Sequence, residues 1–191
     1  TPVAPAKKQE AEPFSVCVAG HLRDVKDPMR TALASHGLPE DSRILIRHAG
    51  GIIEEKYRAI AEKESAENPR YQWIGPVTED DAAQLIATSD LMVISSLSEG
   101  GARVVGESVV NGTPILSTAV DGVKGLLGDD YPGYFPVGDT GALTELLIRA
   151  ETDNIFLHSL QTHLAQIASR FSPDTEKCAW EKLLNEINNP S

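Results

Sequence analysis

The stretch Leu91-Met-Val-Ile-Ser-Ser-Leu-Ser-Glu-Gly-Gly-Ala-Arg-Val-Val-Gly-Glu-Ser-Val-Val-Asn-Gly-Thr-Pro-Ile-Leu116 decides the fold. It opens on an uninterrupted apolar run, passes through a polar loop with two glycines, and continues in a segment of helical period. It closes on a second apolar run after Asn111-Gly112 and Pro114. Gly tolerates the left-handed turn that ends a helix, and Pro cannot extend one. A strand buried on both faces reads as a continuous apolar run, and a helix between two such runs is the crossover that parallel pairing requires. The stretch predicts strands at 91–94 and 114–116 with a helix over 103–110 between them.

The same alternation extends outward in both directions. Strands are expected at 14–19, 44–47 and 71–74, and helices at 29–35, 52–67 and 79–88. Thr78 offers a hydroxyl to the first amides of that last helix, and Glu79, Asp80 and Asp81 suit the positive end of its dipole. Residues 140–187 read as helices only. Asp139 caps one over 140–149, Asn154 caps another reaching about residue 169, and Ser172-Pro173 starts a third carrying Trp180, Leu183, Leu184 and Ile187. Residues 1–13, rich in Pro, Ala, Lys and Glu, read as a linker. The expected architecture is α/β: a Rossmann-like, doubly wound parallel sheet over 14–173, followed by a C-terminal helix over 174–191. Sheets of this kind bind ligands at the carboxyl ends of their strands.

Composition narrows the ligand. The 191 residues hold 28 Asp and Glu against 17 Lys and Arg, a formal net charge of −11, with 41% hydrophobic and 24% charged residues. Nucleic acid and anionic membranes are held chiefly by basic patches, so neither is an expected partner. No run of about 18 apolar residues predicts membrane insertion. Cys17 and Cys178 lie far apart with no Cys-x-x-Cys spacing, which fits a reducing cytoplasm. His158 and His163 are five apart, about 140° around a helix, and so are expected at the surface rather than on one metal ion. No metal is expected.

Against the acidic background, Arg23, Lys26, Arg47, Arg103 and Lys124 are all expected on the rim formed by the strand ends, which implies an anionic ligand. Gly100-Gly101 just ahead of a helix leaves amides free to hold a phosphate. No Gly-x-Gly-x-x-Gly, Gly-x4-Gly-Lys-Ser/Thr or Gly-x-Ser-x-Gly occurs, which lowers dinucleotide, P-loop and α/β-hydrolase readings. Glu99 and Glu107 are eight apart, a spacing that Glu54 and Glu62 repeat, so spacing alone proves nothing. The rise between Glu99 and Glu107 is about 12 Å on a helix, wider than the roughly 5–10 Å of a hydrolytic carboxylate pair. Two such acids can hold hydroxyls at opposite ends of a long ligand with a diphosphate between them.

On these residues the chain resembles the donor-binding C-terminal half of a GT-B glycosyltransferase of the family 4 kind, over 14 to about 149. The resemblance rests on Gly20-His-Leu-Arg-Asp-Val-Lys-Asp-Pro28, Trp73-Ile-Gly75, Ser89-Asp-Leu91, Glu99 to Glu107 and Gly112-Thr-Pro-Ile115. It implies a nucleotide-diphosphate sugar as substrate, UDP-sugar favoured, with Arg23 and Lys26 on the diphosphate, Glu99 on the sugar and Glu107 on the ribose. It places Ile74 against the base and Gly20, Gly100, Gly101 and Ala102 along the donor, with Glu99, Arg23 and Lys26 as the catalytic set. It also implies an acceptor-binding N-terminal lobe of the same polypeptide, without which this chain is expected to be inactive. More narrowly, Ser98 to Glu107 and Gly125 to Pro136 are similar to the selenosugar synthase branch of selenoneine biosynthesis, which implies selenophosphate as acceptor. Arg103, Gly106 and Ser108 stand where Asn, Ser and Ala are more usual. Two alternatives stay open: a nucleotide-sugar epimerase or hydrolase of the same lobe, and a non-enzymatic phosphate-binding α/β module such as a receiver domain.

Overall fold

The computed structural model describes residues 12–101 and 103–171. The expected 174–191 helix, with Trp180, Leu183, Leu184 and Ile187, lies outside the described residues, as do Cys178, Ala102 and nearly all of the expected linker.

Strands β1 (Phe14–Ala19), β2 (Ile44–Ala49), β3 (Tyr71–Gly75), β4 (Leu91–Ile94), β5 (Ile115–Thr118) and β6 (Tyr134–Phe135) form one sheet of order β3-β2-β1-β4-β5-β6. Every pairing is parallel. Helices α1 (Arg30–Ser35), α2 (Lys56–Glu67), α3 (Glu79–Ala87), α4 (Arg103–Asn111), α5 (Asp121–Leu127), α6 (Thr140–Thr152) and α7 (Asn154–Ile167) complete the described layers. The expected α/β class and doubly wound sheet are thereby shown, with helical elements after the last strand. Among the described residues no helix is long and apolar enough to cross a membrane.

The apolar runs form strands because both faces of the sheet are covered. All four residues of β4 and all four of β5 are buried. Helical period does the same for the layers: Phe156, Leu160, Leu164 and Ile167 form one buried stripe of α7, and Leu143, Leu147 and Ala150 one of α6. Burial pushes the Cys17 thiol up to about 11, leaving it an apolar filler of the core.

Several boundaries move for identifiable reasons. The second helix starts at Lys56 and not at residue 52, because Ile52 continues the sheet beyond β2 in a parallel bridge with Leu22. Thr78 and Asp139 cap as expected, accepting from Asp81 N and Ala142 N. The cap of α7 is Asp153 rather than Asn154; its carboxylate accepts from Ile155 N and Phe156 N at 2.9 and 3.0 Å. His163 is half-buried, its Nε2 2.6 Å from the Leu127 carbonyl and its ring edge-on to Tyr131, which corrects the surface expectation. Helix α5 and strand β6 have no counterpart in the sequence-based assignment.

The order of the sheet places its topological switch between β1 and β4. One crossover from β1 leads to β2 and the later chain returns on the other side, so the loops after β1 and β4 diverge and leave a crevice.

Candidate functional site

The loop after β1 is built from buried anchors outward. Leu22 is fully buried, donates its amide to the Gly51 carbonyl, and receives the amides of Ile53 and Glu54 on its carbonyl. Asp24–Lys26 form a single 3-10 turn, closed by Asp27 in the left-handed region at φ 43°. Tyr57 and Lys56 of α2 hold the Asp24 carboxylate, which these partners keep below its usual range, and Glu54 accepts the Asp24 amide. On the other side Ser95 Oγ donates to the Lys26 and Asp27 carbonyls, and Leu97 N donates to Val25 O at 2.8 Å. The turn carrying Arg23 and Lys26 is thus tied to the segment from β2 into α2 on one side and to the loop after β4 on the other.

Around these loops lies a cavity of about 380 Å³, lined on the β1 side by Gly20, His21, Arg23 and Lys26 and on the α4 side by Glu99, Gly101, Arg103, Val104 and Glu107. Ala49, Gly50 and Gly51 form its floor beside β2, and Val77, Thr78, Glu79 and Ala82 its wall at the start of α3. Six of the predicted residues, Gly20, Arg23, Lys26, Glu99, Gly101 and Glu107, share this one cavity although they come from segments some 80 residues apart in sequence.

Lys26 Nζ lies 2.5 Å from Glu99 Oε1, which also receives Ser96 Oγ at 2.5 Å, and the Glu99 side chain is 8% exposed. The first expected carboxylate therefore neutralises one of the two expected phosphate cations. Glu107 is paired as well: its Oε1 is 2.9 Å from Arg103 Nε, while the Arg103 fork sits on Glu79 at 2.7 and 3.0 Å. Glu79 is held below the usual carboxylate range by that guanidinium.

Other predicted residues lie elsewhere. Arg47 falls within β2 rather than after it; opposite Cys17, it reaches toward Ser15 at 3.3 Å, away from the rim. Lys124 lies in α5 near Asp129 and does not line the cavity. Ile74 is 38% exposed and outside the lining, where Val77 and Thr78 stand instead, and Gly100 is likewise not a lining residue. Trp73 is half-buried and donates through Nε1 to the Gly50 carbonyl at 2.8 Å, a support of the floor and not a wall.

Two supports had no signal in the sequence. A Cβ on Gly50 would meet the Gly20 carbonyl oxygen at 1.9 Å, and a Cβ on Gly122 would meet the Glu99 carbonyl oxygen at 1.9 Å. Each site loop rests on a glycine from the segment after the next strand, Gly50 after β2 and Gly122 in the first turn of α5. His21 was visible within its motif but carried no assignment; its Nδ1 accepts from Gly51 N at 3.0 Å, which ties the two loops together at the cavity edge.

The family of glycosyl transferases group 1 matches residues 3–170 of this chain. The UDP-N-acetylglucosamine–peptide N-acetylglucosaminyltransferase GtfA subunit of Streptococcus gordonii is 24% identical over 196 residues, covering 96% of this chain and 38% of that protein. The lipopolysaccharide core biosynthesis glycosyltransferase LpsE of Rhizobium meliloti is 30% identical over 112 residues, covering 56% of this chain and 32% of that protein. The crystal structure of Anabaena Alr3699/HepE in complex with UDP and glucose superposes with a TM-score of 0.78 at 21% identity, covering 92% of this chain and 49% of that one. The chain spans half or less of the length of each of these proteins.

Proposed function

The chain belongs to the group 1 glycosyl transferases, and from that premise we propose that its cavity holds a nucleotide-diphosphate sugar, UDP-sugar favoured, for glycosyl transfer. The observation that carries this reading is the convergence of Gly20, Arg23, Lys26, Glu99, Gly101 and Glu107 on one crevice at the switch point of an acidic molecule. The UDP and UDP-linked donors named for the relatives agree with it. A second lobe, for which the greater length of the relatives leaves room, would carry the acceptor.

In this reading the diphosphate lies by the β1 loop, the sugar by Glu99 and the ribose by Glu107. When the anomeric C–O bond breaks, its electron pair leaves with the nucleoside diphosphate. Lys26 and Arg23 take up that charge, and they lower the barrier because they meet more charge in the transition state than in the resting donor. The Lys26–Glu99 pair gives the exchange a defined course: an incoming phosphate replaces the carboxylate on Lys26, and the released Glu99 turns to the sugar hydroxyls. This assigns charge neutralisation to side chains rather than to a metal.

Within the family we place the chain in the selenosugar synthase branch, with selenophosphate as acceptor and a C–Se bond replacing the anomeric C–O bond. The support is the wording of Ser98–Glu107 and Gly125–Pro136. Titration calorimetry of this chain with UDP, GDP, ADP and their sugar conjugates tests the donor. UDP is expected to bind most tightly, and the combined Arg23→Ala, Glu107→Ala variant is expected to lose binding. Affinity that survives both substitutions would remove the site.

A further inference from the structure

Among the described residues Arg103 is the one cavity cation that the donor reading leaves without a role, and its partners suggest what it does. It stands at the start of α4, with its Nη1 and Nη2 on the two oxygens of Glu79, the first residue of α3, in a fork-to-fork pair. A guanidinium held this way has its plane fixed, since both donors of the fork are engaged. Its Nε lies 2.9 Å from Oε1 of Glu107, one helical turn further along α4, in an ion pair. All three side chains line the cavity, so the network links its two walls on the ligand's side and not behind it.

A carboxylate has lone pairs enough for several donors, and Arg103 uses one oxygen only. Among the described residues Glu107 Oε2 has no hydrogen-bond partner, and the side chain is 22% exposed, on the cavity. The Arg103 and Glu79 side chains are 64% and 78% exposed, and ion pairs that open to solvent contribute little to folding. The network is therefore dispensable for stability while it fixes the direction in which Glu107 presents its second oxygen.

We propose that Arg103 is a positioning residue for Glu107: anchored on Glu79, it holds Oε1 and leaves Oε2 aimed at the hydroxyls of a ribose, so that it sets the preference for a ribonucleotide. The proposal rests on the donor reading above. Without Arg103, Glu107 has to be ordered at the moment of binding, and the cost falls on hydroxyl recognition alone.

Binding of UDP and of 2′,3′-dideoxy-UDP to this chain tests it by calorimetry, with circular dichroism confirming that each variant is folded. Arg103→Met and Glu107→Gln are each expected to weaken UDP about tenfold, the scale of a lost hydrogen bond to a charged group, and to leave the dideoxy ligand unchanged. The double variant is expected to bind UDP no more weakly than the weaker single variant, since the two act through one contact. Equal weakening of both ligands by Arg103→Met, an unchanged UDP affinity, or losses that multiply in the double variant would each overturn the proposal. If the unaltered chain binds neither ligand, the donor reading itself fails; if it binds both equally, the ribose role of Glu107 fails and Arg103 has nothing to position.

Discussion

His48 is wholly buried beneath the loop after β1, with Nε2 3.0 Å from the Gly20 carbonyl and Nδ1 2.8 Å from the Tyr71 hydroxyl. A carbonyl only accepts, so Nε2 donates and Nδ1 accepts from the tyrosine. Burial pushes this imidazole down to about 4, opposed only weakly by the bond to Gly20. Between that value and the ordinary 6.5 the unfolded chain takes up a proton that the folded chain refuses. Its contribution to stability is thus complete above about pH 6.5 and falls as pH drops toward 4, by about 3 kcal/mol in all. Denaturant titrations from pH 7 to 4 are expected to show a shallower loss for His48→Gln than for the unaltered chain. Lys26 and Glu99 give a second contrast at this scale. Lys26→Met is expected to weaken UDP about tenfold or more, the scale of one charged phosphate contact. Glu99→Gln, by freeing the ammonium, is expected to leave UDP as tight or tighter while the added affinity of a UDP-sugar over UDP disappears. Calorimetry of both variants with both ligands reads the two signs.

At the scale of elements, the site loops are set by neighbours that touch no ligand. Helix α5 has Gly122 and Gly125 in its seven residues, a composition that reads as loop on propensity alone. Its formation is a tertiary effect: only a residue without Cβ lets its first turn abut the Glu99 backbone. Gly122→Ala and Gly50→Ala are each expected to cost about 1–3 kcal/mol in thermal unfolding, as other overpacking changes do, and to weaken UDP as well. An unchanged affinity in both would mean that the loops do not depend on these supports. The cap of α7 acts on stability alone. Asp153→Ala leaves two amides at the helix start without a partner beside buried Phe156, and is expected to cost about 1 kcal/mol with no effect on UDP.

For the molecule as a whole, the sheet order makes β1 and β4 the centre and β3 and β6 the edges. Residues open to solvent in β3, such as Gln72, alternate with buried or half-buried ones, whereas Val16, Met92 and Leu116 have almost no exposure. Hydrogen exchange is expected to find the slowest amides at Val16, Met92 and Leu116 and distinctly faster ones at Gln72 and Ile74, because edges open without global unfolding. Added UDP is expected to slow exchange at the 20–26 and 99–107 loops while leaving β6 unchanged; protection at β6 instead would move the ligand off the switch point.

Largely apolar runs specified β1, β4 and the start of β5 from sequence, since a strand covered on both faces is mostly apolar, and Thr78 and Asp139 marked their helix starts because capping is a contact between near neighbours. Gly20, Arg23, Lys26, Glu99 and Gly101 were legible as candidates from their places after strand ends, and Glu107 from its spacing to Glu99 and the family resemblance. Strand β6 was not, because two residues carry no period, nor was α5, whose Gly122 answers to a backbone 23 residues away. Side-chain partnership was decided only in three dimensions. Sequence put Arg47 on the rim and left Arg103 without a task, while the fold turned Arg47 toward Ser15 and gave Arg103 both Glu79 and Glu107. Local pattern determines which segments become strands and helices; the packing of segments distant in the chain determines which charges meet.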